Sequence, residues 1–289
     1  MNVSSLLVFL VPSARAAGWR KAIEDAAALI GFRLVEGHAV PLSDDLSDTS
    51  PTIILSSDAE AAWRPDEAVH AVVIRDTAGA LMTELVARGA SDSEALHLAS
   101  CFFSTASNLA DSGAIVHGAH SGTLELPCLG FVRHPDGEQK AADGSSALGI
   151  YDSVPPAIGA SARWPNGIFQ FPNFIGGSVE NSGQSRIDLT GRARTLVFGP
   201  YIVLPPGSWR VDAEVGLELE GAAAHLHFEW GAGCDFHGFS KTLIKSGIYK
   251  ILIDKVWEAS SASEFRIVSA QPHFHGWLEV RSVCVTRVT

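Results

Sequence analysis

The stretch RVDAEVGLELE, residues 210–220, alternates apolar and polar side chains along its length. Val211, Ala213, Val215 and Leu217 occupy every second position, with mostly acidic residues between them. Successive side chains of a β-strand point to opposite faces of a sheet. The stretch therefore predicts a strand with one face in a core and the other in water.

Similar short runs recur from about residue 161 to the C-terminus, separated by proline and glycine turns. In AHLHFEW, residues 224–230, the alternation predicts inward apolar side chains and outward His225, His227 and Glu229. About eight strands at such spacing are typical of a β-sandwich or jelly roll. We predict this fold for residues 161–289.

In the first part of the chain, short apolar runs alternate with segments whose apolar residues have helical spacing. SLLVFLV, residues 5–11, predicts a strand buried on both faces, and a segment with helical spacing follows it up to Gly31. Ser91 with Glu94 forms the signature of a capping box at a helix start. Alternating strands and helices predict a small Rossmann-like or flavodoxin-like α/β domain over residues 1–130, with residues 131–160 as a connector.

The turn after the first strand reads VPSARAAGW, residues 11–19, and contains no GxGxxG motif. Without those glycines a backbone cannot approach a pyrophosphate closely, so a dinucleotide is not expected. The sequence predicts no cofactor.

The net charge of −11 is uneven, with 9 basic and 19 acidic residues in 1–150 and 12 basic and 13 acidic residues in 151–289. Neither part carries a basic patch that would neutralise phosphates, which excludes nucleic acid and anionic membranes as expected partners. No apolar stretch reaches the roughly 20 residues of a membrane span. A neutral ligand fits this charge distribution better.

The four cysteines lie far apart and form no CxxC pair, which indicates thiols in a reducing compartment. The opening MNVSSLLVFLVPSARAAGW, residues 1–19, also has an apolar run and an ARA that resembles a signal-peptide cleavage site. We favour a buried first strand because no basic residue precedes the apolar run. The expected location is cytoplasmic.

Two clusters of histidine and aromatic residues, HLHFEWGAGCDFHGF at 225–239 and QPHFHGW at 271–277, suggest a binding site. Five of the seven tryptophans also lie in the second part of the chain. Aromatic faces that stack on sugar rings, together with polar groups that bind hydroxyls, would form a saccharide site. The candidate ligand-binding residues are Glu214, His225, His227, Glu229, Trp257, Arg266, His273, His275 and Trp277.

A metal site is the alternative interpretation of the histidines. His225 and His227 have the HxH spacing that cupins use, and His273 or His275 could complete a zinc site. In a cupin the glutamate comes several residues after the HxH pair, whereas Glu229 follows His227 directly on the same face. We therefore predict no metal.

GPYIVLPPGSWRVDAEV, residues 199–215, resembles carbohydrate-binding-module-like jelly-roll domains attached to bacterial polysaccharide glycosyltransferases and related cell-surface assembly proteins. The likeness extends through HFEWG and EFRIV to WLEV at 277–280, over roughly the last 120 residues. The resemblance implies an association with glycan chemistry and assigns no catalytic residue.

Three functions follow as expectations. The first is an accessory or carbohydrate-binding protein of bacterial polysaccharide biosynthesis that binds a saccharide on the jelly-roll face or in the interdomain crevice. The second is a sugar-processing enzyme with a glutamate and a histidine as acid and base. The third is a protein–protein interaction module. The sequence leaves open whether the protein is an enzyme, and whether it forms a homo-oligomer or has a glycosyltransferase partner.

Overall fold

The computed structural model describes residues 5–37, 51–59, 69–140, 146–172 and 186–289. The chain divides into two compact units. The first comprises Met1–Ser145 with Tyr151–Pro155, and the second comprises Ser146–Ile150 with Pro156–Thr289.

Among its described residues, the first unit contains a parallel sheet and three α-helices. Its strands are β1 (Ser5–Leu10), β2 (Arg33–Glu36), β3 (Thr52–Ser56), β4 (Val69–Arg75), β5 (Ile115–Gly118), β6 (Thr123–Leu126) and β7 (Gly130–Arg133). Its helices are α1 (Ala16–Ile30), α2 (Ala78–Ala87) and α3 (Asp92–Asp111). Strands β1 to β5 are parallel in the order β2-β3-β1-β4-β5, while β6 and β7 pair separately.

The central strand β1 is buried on both faces, as its apolar run predicts. Leu6 and Val8 belong to a core cluster that includes Trp19 of α1. Phe9 points the other way, and its ring lies 6.4 Å from that of Phe102 on α3. Helices thus cover both sides of this strand, as parallel sheets require.

The helix ends follow the sequence signals. Gly31 ends α1 with a φ of 77°, a left-handed conformation that glycine adopts without steric cost. Ser91 and Glu94 form the predicted capping box at the start of α3. None of the helices in the described ranges is long and apolar enough to cross a membrane.

Two arginine side chains of the first unit donate hydrogen bonds to backbone carbonyls of its loops. Arg15, at the end of the turn after β1, is 5% exposed and donates to the carbonyl oxygens of His120, at 3.4 Å, and Gly137. Arg75 at the end of β4 donates to the carbonyl of Asp152 at 2.8 Å. These guanidinium groups are therefore engaged with backbone oxygens.

The second unit is a β-sandwich, as predicted. It contains β8 (Ser161–Trp164), β9 (Arg186–Asp188), β10 (Arg194–Val197), β11 (Pro200–Leu204), β12 (Gly207–Glu218), β13 (Ala224–Ala232), β14 (Asp235–Leu243), β15 (Gly247–Trp257), β16 (Ser261–Ser269) and β17 (Trp277–Arg287). The β12 sheet has the order β15-β12-β17-β8, with β9 on β17. The β13 sheet has the order β10-β16-β13-β14, with β11 on β16.

Aromatic side chains fill the space between these sheets. Trp230 of β13 packs edge-on against Trp257 of β15, with ring centroids 5.6 Å apart. Phe265 of β16 meets Phe169 at 6.5 Å. Burial alternates along β12 and β13 as the sequence predicts, so each sheet presents its polar positions on its outer face.

An ion pair between a buried lysine and an exposed aspartate joins β14 to β15. It leads to a stability prediction. Lys255 Nζ lies 2.5 Å from Asp235 Oδ2, with the lysine side chain 2% exposed and the aspartate 73% exposed. Asp235→Asn would leave a buried ammonium without its anion, whereas Lys255→Met would leave a carboxylate in water. We expect Asp235→Asn to lower the free energy of unfolding more than Lys255→Met does, as measured by chemical denaturation.

The same pair has a pH signature. The hydrogen bond from Lys255 lowers the pKa of Asp235 below its ordinary value. Its stabilisation is complete above the unfolded pKa of about 3.9 and is lost as pH falls through the lower folded pKa. The fall in stability below about pH 4 should be shallower in Asp235→Asn than in the wild type. Equal slopes in the two proteins would contradict this role of the pair.

Candidate functional site

A groove of about 520 Å³ lies on the outer face of the β12 sheet at one end of the sandwich. Four neighbouring strands contribute to it. Gly216 of β12 pairs with Ile248 of β15 on one side and with Glu279 of β17 on the other, and Glu279 pairs with Arg186 of β9. Antiparallel pairing places these laterally matched residues on one face.

Trp277, one of the predicted ligand-binding residues, forms part of the groove wall. It is 37% exposed, which is unusual for so large an apolar side chain. The guanidinium carbon of Arg186 lies 4.8 Å from the centroid of the indole, and the same guanidinium forms an ion pair with Glu218. The groove thus combines an accessible aromatic ring with a fixed arginine and carboxylate.

Gly216 lies within the lateral row of groove residues that runs from Ile248 through Gly216 and Glu279 to Arg186. A Cβ at this position would lie 3.1 Å from Arg281 Nε and 3.3 Å from Glu279 Oε2. Those two side chains are themselves joined by a bond of 2.9 Å from Arg281 Nε to Glu279 Oε2. The absence of a side chain at position 216 leaves room for a second arginine and carboxylate pair in the groove.

The charges of the groove balance. Arg186 pairs with Glu218 and Arg281 with Glu279, so each cation has an anion beside it. Paired groups of this kind retain further N–H donors and oxygen acceptors for a ligand. They offer no net charge to an ionic ligand, and they suit a neutral molecule that carries hydroxyl groups.

The outer face of the β13 sheet carries the histidines of the sequence prediction. His225, His227 and Glu229 point outward from β13, as predicted. His227 Nδ1 lies 2.6 Å from the hydroxyl of Ser240, and His225 Nδ1 lies 2.8 Å from that of Thr242. The hydroxyl partners of both histidines lie on the neighbouring strand β14.

Arg266 lies on the same outer face, opposite Glu229 in the pairing of β13 with β16. Its guanidinium carbon is 3.9 Å from the centre of the Phe236 ring. Two bonds of 2.7 Å tie it to Glu264, whose side chain is 7% exposed. The structure therefore brings together four predicted residues: His225, His227, Glu229 and Arg266.

Glu214 does not belong to that group. It lies on the outer face of β12, where it pairs laterally with Lys250 of β15 and Ser282 of β17. Glu214 and the predicted histidines therefore lie on different surfaces, because β12 and β13 belong to different sheets whose outer faces point away from each other.

Two further predicted residues are buried. Trp257 is 4% exposed and packs against Trp230 inside the sandwich, so its indole lies away from both outer faces. His273 is 5% exposed, and burial lowers the pKa of its imidazole. His275 remains accessible, with Nδ1 3.9 Å from a carboxylate oxygen of Glu220.

The histidines do not converge on a metal position. Over the described ranges, no three side chains of histidine, cysteine, aspartate or glutamate lie where they could hold one ion. All four cysteines fall within those ranges, and no disulfide joins any two of them.

The four charged residues of the groove, Arg186, Glu218, Glu279 and Arg281, were not among the predicted site residues. Glu279 follows Trp277 at strand spacing in WLEVR, residues 277–281, so alternation alone places it on the same face. Arg281 follows Glu279 at the same spacing and lies on the same face, at the point where the pairing of β17 with β12 shifts register. Arg186 carries no local signal, because it reaches Trp277 only through the pairing of β9 with β17.

No protein-family model matches the chain, and no curated protein matches it. Among solved structures, a family 16 carbohydrate-binding module is similar at 6% identity, over 35% of this chain and 74% of that one, with a TM-score of 0.27. A family 61 module in complex with β-1,4-galactotriose is similar at 11% identity, over 44% and 86%, with a TM-score of 0.29.

A third similar structure is a glycosylation-associated protein complex from Streptococcus agalactiae, at 10% identity over 89% of this chain and 50% of that one, with a TM-score of 0.30. The TM-scores of these three likenesses are too low for any residue of those proteins to be matched to a residue of this chain.

Proposed function

We propose that this protein binds a saccharide and that the groove beside Trp277 is the binding site. The observation that carries the proposal is the exposed indole of Trp277 beside two arginine and carboxylate pairs in a groove of about 520 Å³. Ligand pockets typically combine an apolar surface with a few fixed polar groups, and they have volumes of roughly 300 to 1,000 Å³.

Each part of the groove has a role in this proposal. The indole of Trp277 would stack against the C–H face of a sugar ring, because an aromatic ring offers a large and rigid apolar surface. Glu218 and Glu279 would accept hydrogen bonds from hydroxyls, and the two arginines would donate to ring or hydroxyl oxygens. Balanced charges favour a neutral saccharide over an anionic one.

We further propose that saccharide binding serves bacterial polysaccharide biosynthesis, in the cytoplasm and beside a glycosyltransferase partner. The resemblance of residues 199–215 to domains attached to such enzymes supports this role. We interpret the first unit as Rossmann-like or flavodoxin-like, a proposal that its parallel five-stranded sheet supports. We favour a binding role without chemistry over an enzyme that uses a glutamate and histidine pair, because the described lining of the groove contains no histidine.

An array of bacterial polysaccharide fragments tests the binding function. We expect the wild-type protein to retain a subset of neutral oligosaccharides and a Gly216→Leu variant to lose them. Leucine at this outward position of β12 would fill the centre of the groove and leave the core face of the strand unchanged. The absence of any wild-type signal would contradict saccharide binding. Equal signals from both proteins would place the site elsewhere.

A further inference from the structure

Strand β15 forms an edge of the β12 sheet and exposes apolar side chains along its outer face. Within the described part of the chain its only sheet neighbour is β12, with which it pairs over all 11 residues without a register shift. Ile248, Leu252 and Val256 are 59%, 50% and 61% exposed. A long, regular edge strand with exposed apolar residues can pair with another strand.

Charged residues separate these apolar positions. Lys250 lies between Ile248 and Leu252, and Asp254 lies between Leu252 and Val256. The outer face of β15 therefore reads apolar, positive, apolar, negative, apolar. Ile248 and Val256 lie at equal distances along the strand on either side of Leu252. Lys250 and Asp254 also lie at equal distances from it, but they carry opposite charges.

We propose that β15 pairs with β15 of a second copy of this chain, antiparallel and centred on Leu252, to form a two-fold symmetric dimer. Two-fold dimers use the same surface on both subunits, so the surface must complement itself. In this register Lys250 lies opposite Asp254 of the second copy, and Ile248 lies opposite Val256. Leu252 meets its own equivalent on the two-fold axis.

The intrachain partners extend this complementarity. Asp254 accepts two bonds from Arg210 of β12, at 2.7 and 2.9 Å. Lys250 lies beside Glu214 in the pairing of β12 with β15 and forms an ion pair of 2.8 Å with Asp212. Across the proposed interface one row reads Arg210, Asp254, then Lys250 and Glu214 of the second copy. The charges alternate in sign along the whole row, and each opposite pair favours this alignment.

Neighbouring registers lose this match. A shift by two residues in one direction places Lys250 opposite Leu252, and a shift in the other places Asp254 opposite Leu252. Larger shifts place Lys250 opposite itself or Asp254 opposite itself. A shift by one residue reverses the faces of one strand, which would bring buried positions into water. The register centred on Leu252 alone pairs opposite charges with each other and apolar residues with each other.

Charge reversal in two separate variants tests both the dimer and its register. We expect the full-length wild type to sediment as a dimer at high micromolar concentration, and Lys250→Glu and Asp254→Lys each to sediment as monomers. A mixture of the two variants should form a heterodimer. In it the glutamate introduced at position 250 faces the lysine introduced at position 254, and the unchanged Asp254 of one subunit faces the unchanged Lys250 of the other. Both charged pairs are thereby restored.

The matched control is Lys241→Glu on β14, the edge strand of the other sheet, which should leave the wild-type dimer unchanged. A wild type that stays monomeric throughout the concentration range would overturn the proposal. A dimer that survives both charge reversals would show a different interface. Two monomeric variants that fail to associate when mixed would rule out this register, and none of these results depends on saccharide binding.

Discussion

Trp230→Ala should destabilise the second unit by about 3–5 kcal/mol, the usual cost of removing a large aromatic side chain from a packed core. Trp230 is fully buried on β13, and its ring packs against Trp257. Truncation would remove this contact and leave a cavity between the two sheets. Denaturation in guanidinium chloride, followed by circular dichroism, would measure the loss.

His227→Ala on the same strand is the matched control. Its side chain points outward to Ser240, so we expect a cost of less than about 1 kcal/mol. A small effect of Trp230→Ala together with a large effect of His227→Ala would mean that the two faces of β13 are reversed. The position of the histidines on the outer face would then be wrong.

Trp277→Ala has the largest expected effect on binding. We expect the dissociation constant of a bound saccharide to rise at least about thirtyfold, which corresponds to about 2 kcal/mol for the loss of a central aromatic contact. Isothermal titration calorimetry would measure it. The fold should persist because the indole lies on the outer face of the β12 sheet.

Arg210→Ala provides the control for this experiment. Arg210 lies on the outer face of β12 but outside the groove, where it pairs with Asp254. We expect its affinity for saccharide to match that of the wild type. If binding survives Trp277→Ala and is lost in Arg266→Ala, the saccharide site lies on the outer face of the β13 sheet instead.

Sequence periodicity predicted the faces of individual strands well. Along β13 the apolar positions point inward and the histidines outward, and β1 is buried on both faces. These features follow from the geometry of a single strand, which fixes the side of each residue relative to its neighbours. The helix ends at Gly31 and Ser91 were predictable for the same local reason.

Sheet membership was not predictable in this way. Alternation places Glu214 and His225 on polar faces, but long-range pairing decides that β12 and β13 belong to different sheets. The prediction that Trp257 binds a ligand rests on its aromatic ring alone. The alternation in KILIDKVW, residues 250–257, places Trp257 on the same buried face as Ile251 and Ile253. Arg186 joins the groove through a strand pairing that no local pattern encodes.

The most direct test of saccharide binding at the groove is a nuclear magnetic resonance titration of the tryptophan indole N–H signals. The wild-type protein would be titrated with a saccharide selected on the array, and the Trp277 signal would be assigned from its loss in Trp277→Phe. We predict a saturable shift of the Trp277 signal, with the signals of the buried Trp230 and Trp257 unchanged. Saturable binding that leaves the Trp277 signal unmoved would contradict the proposed site.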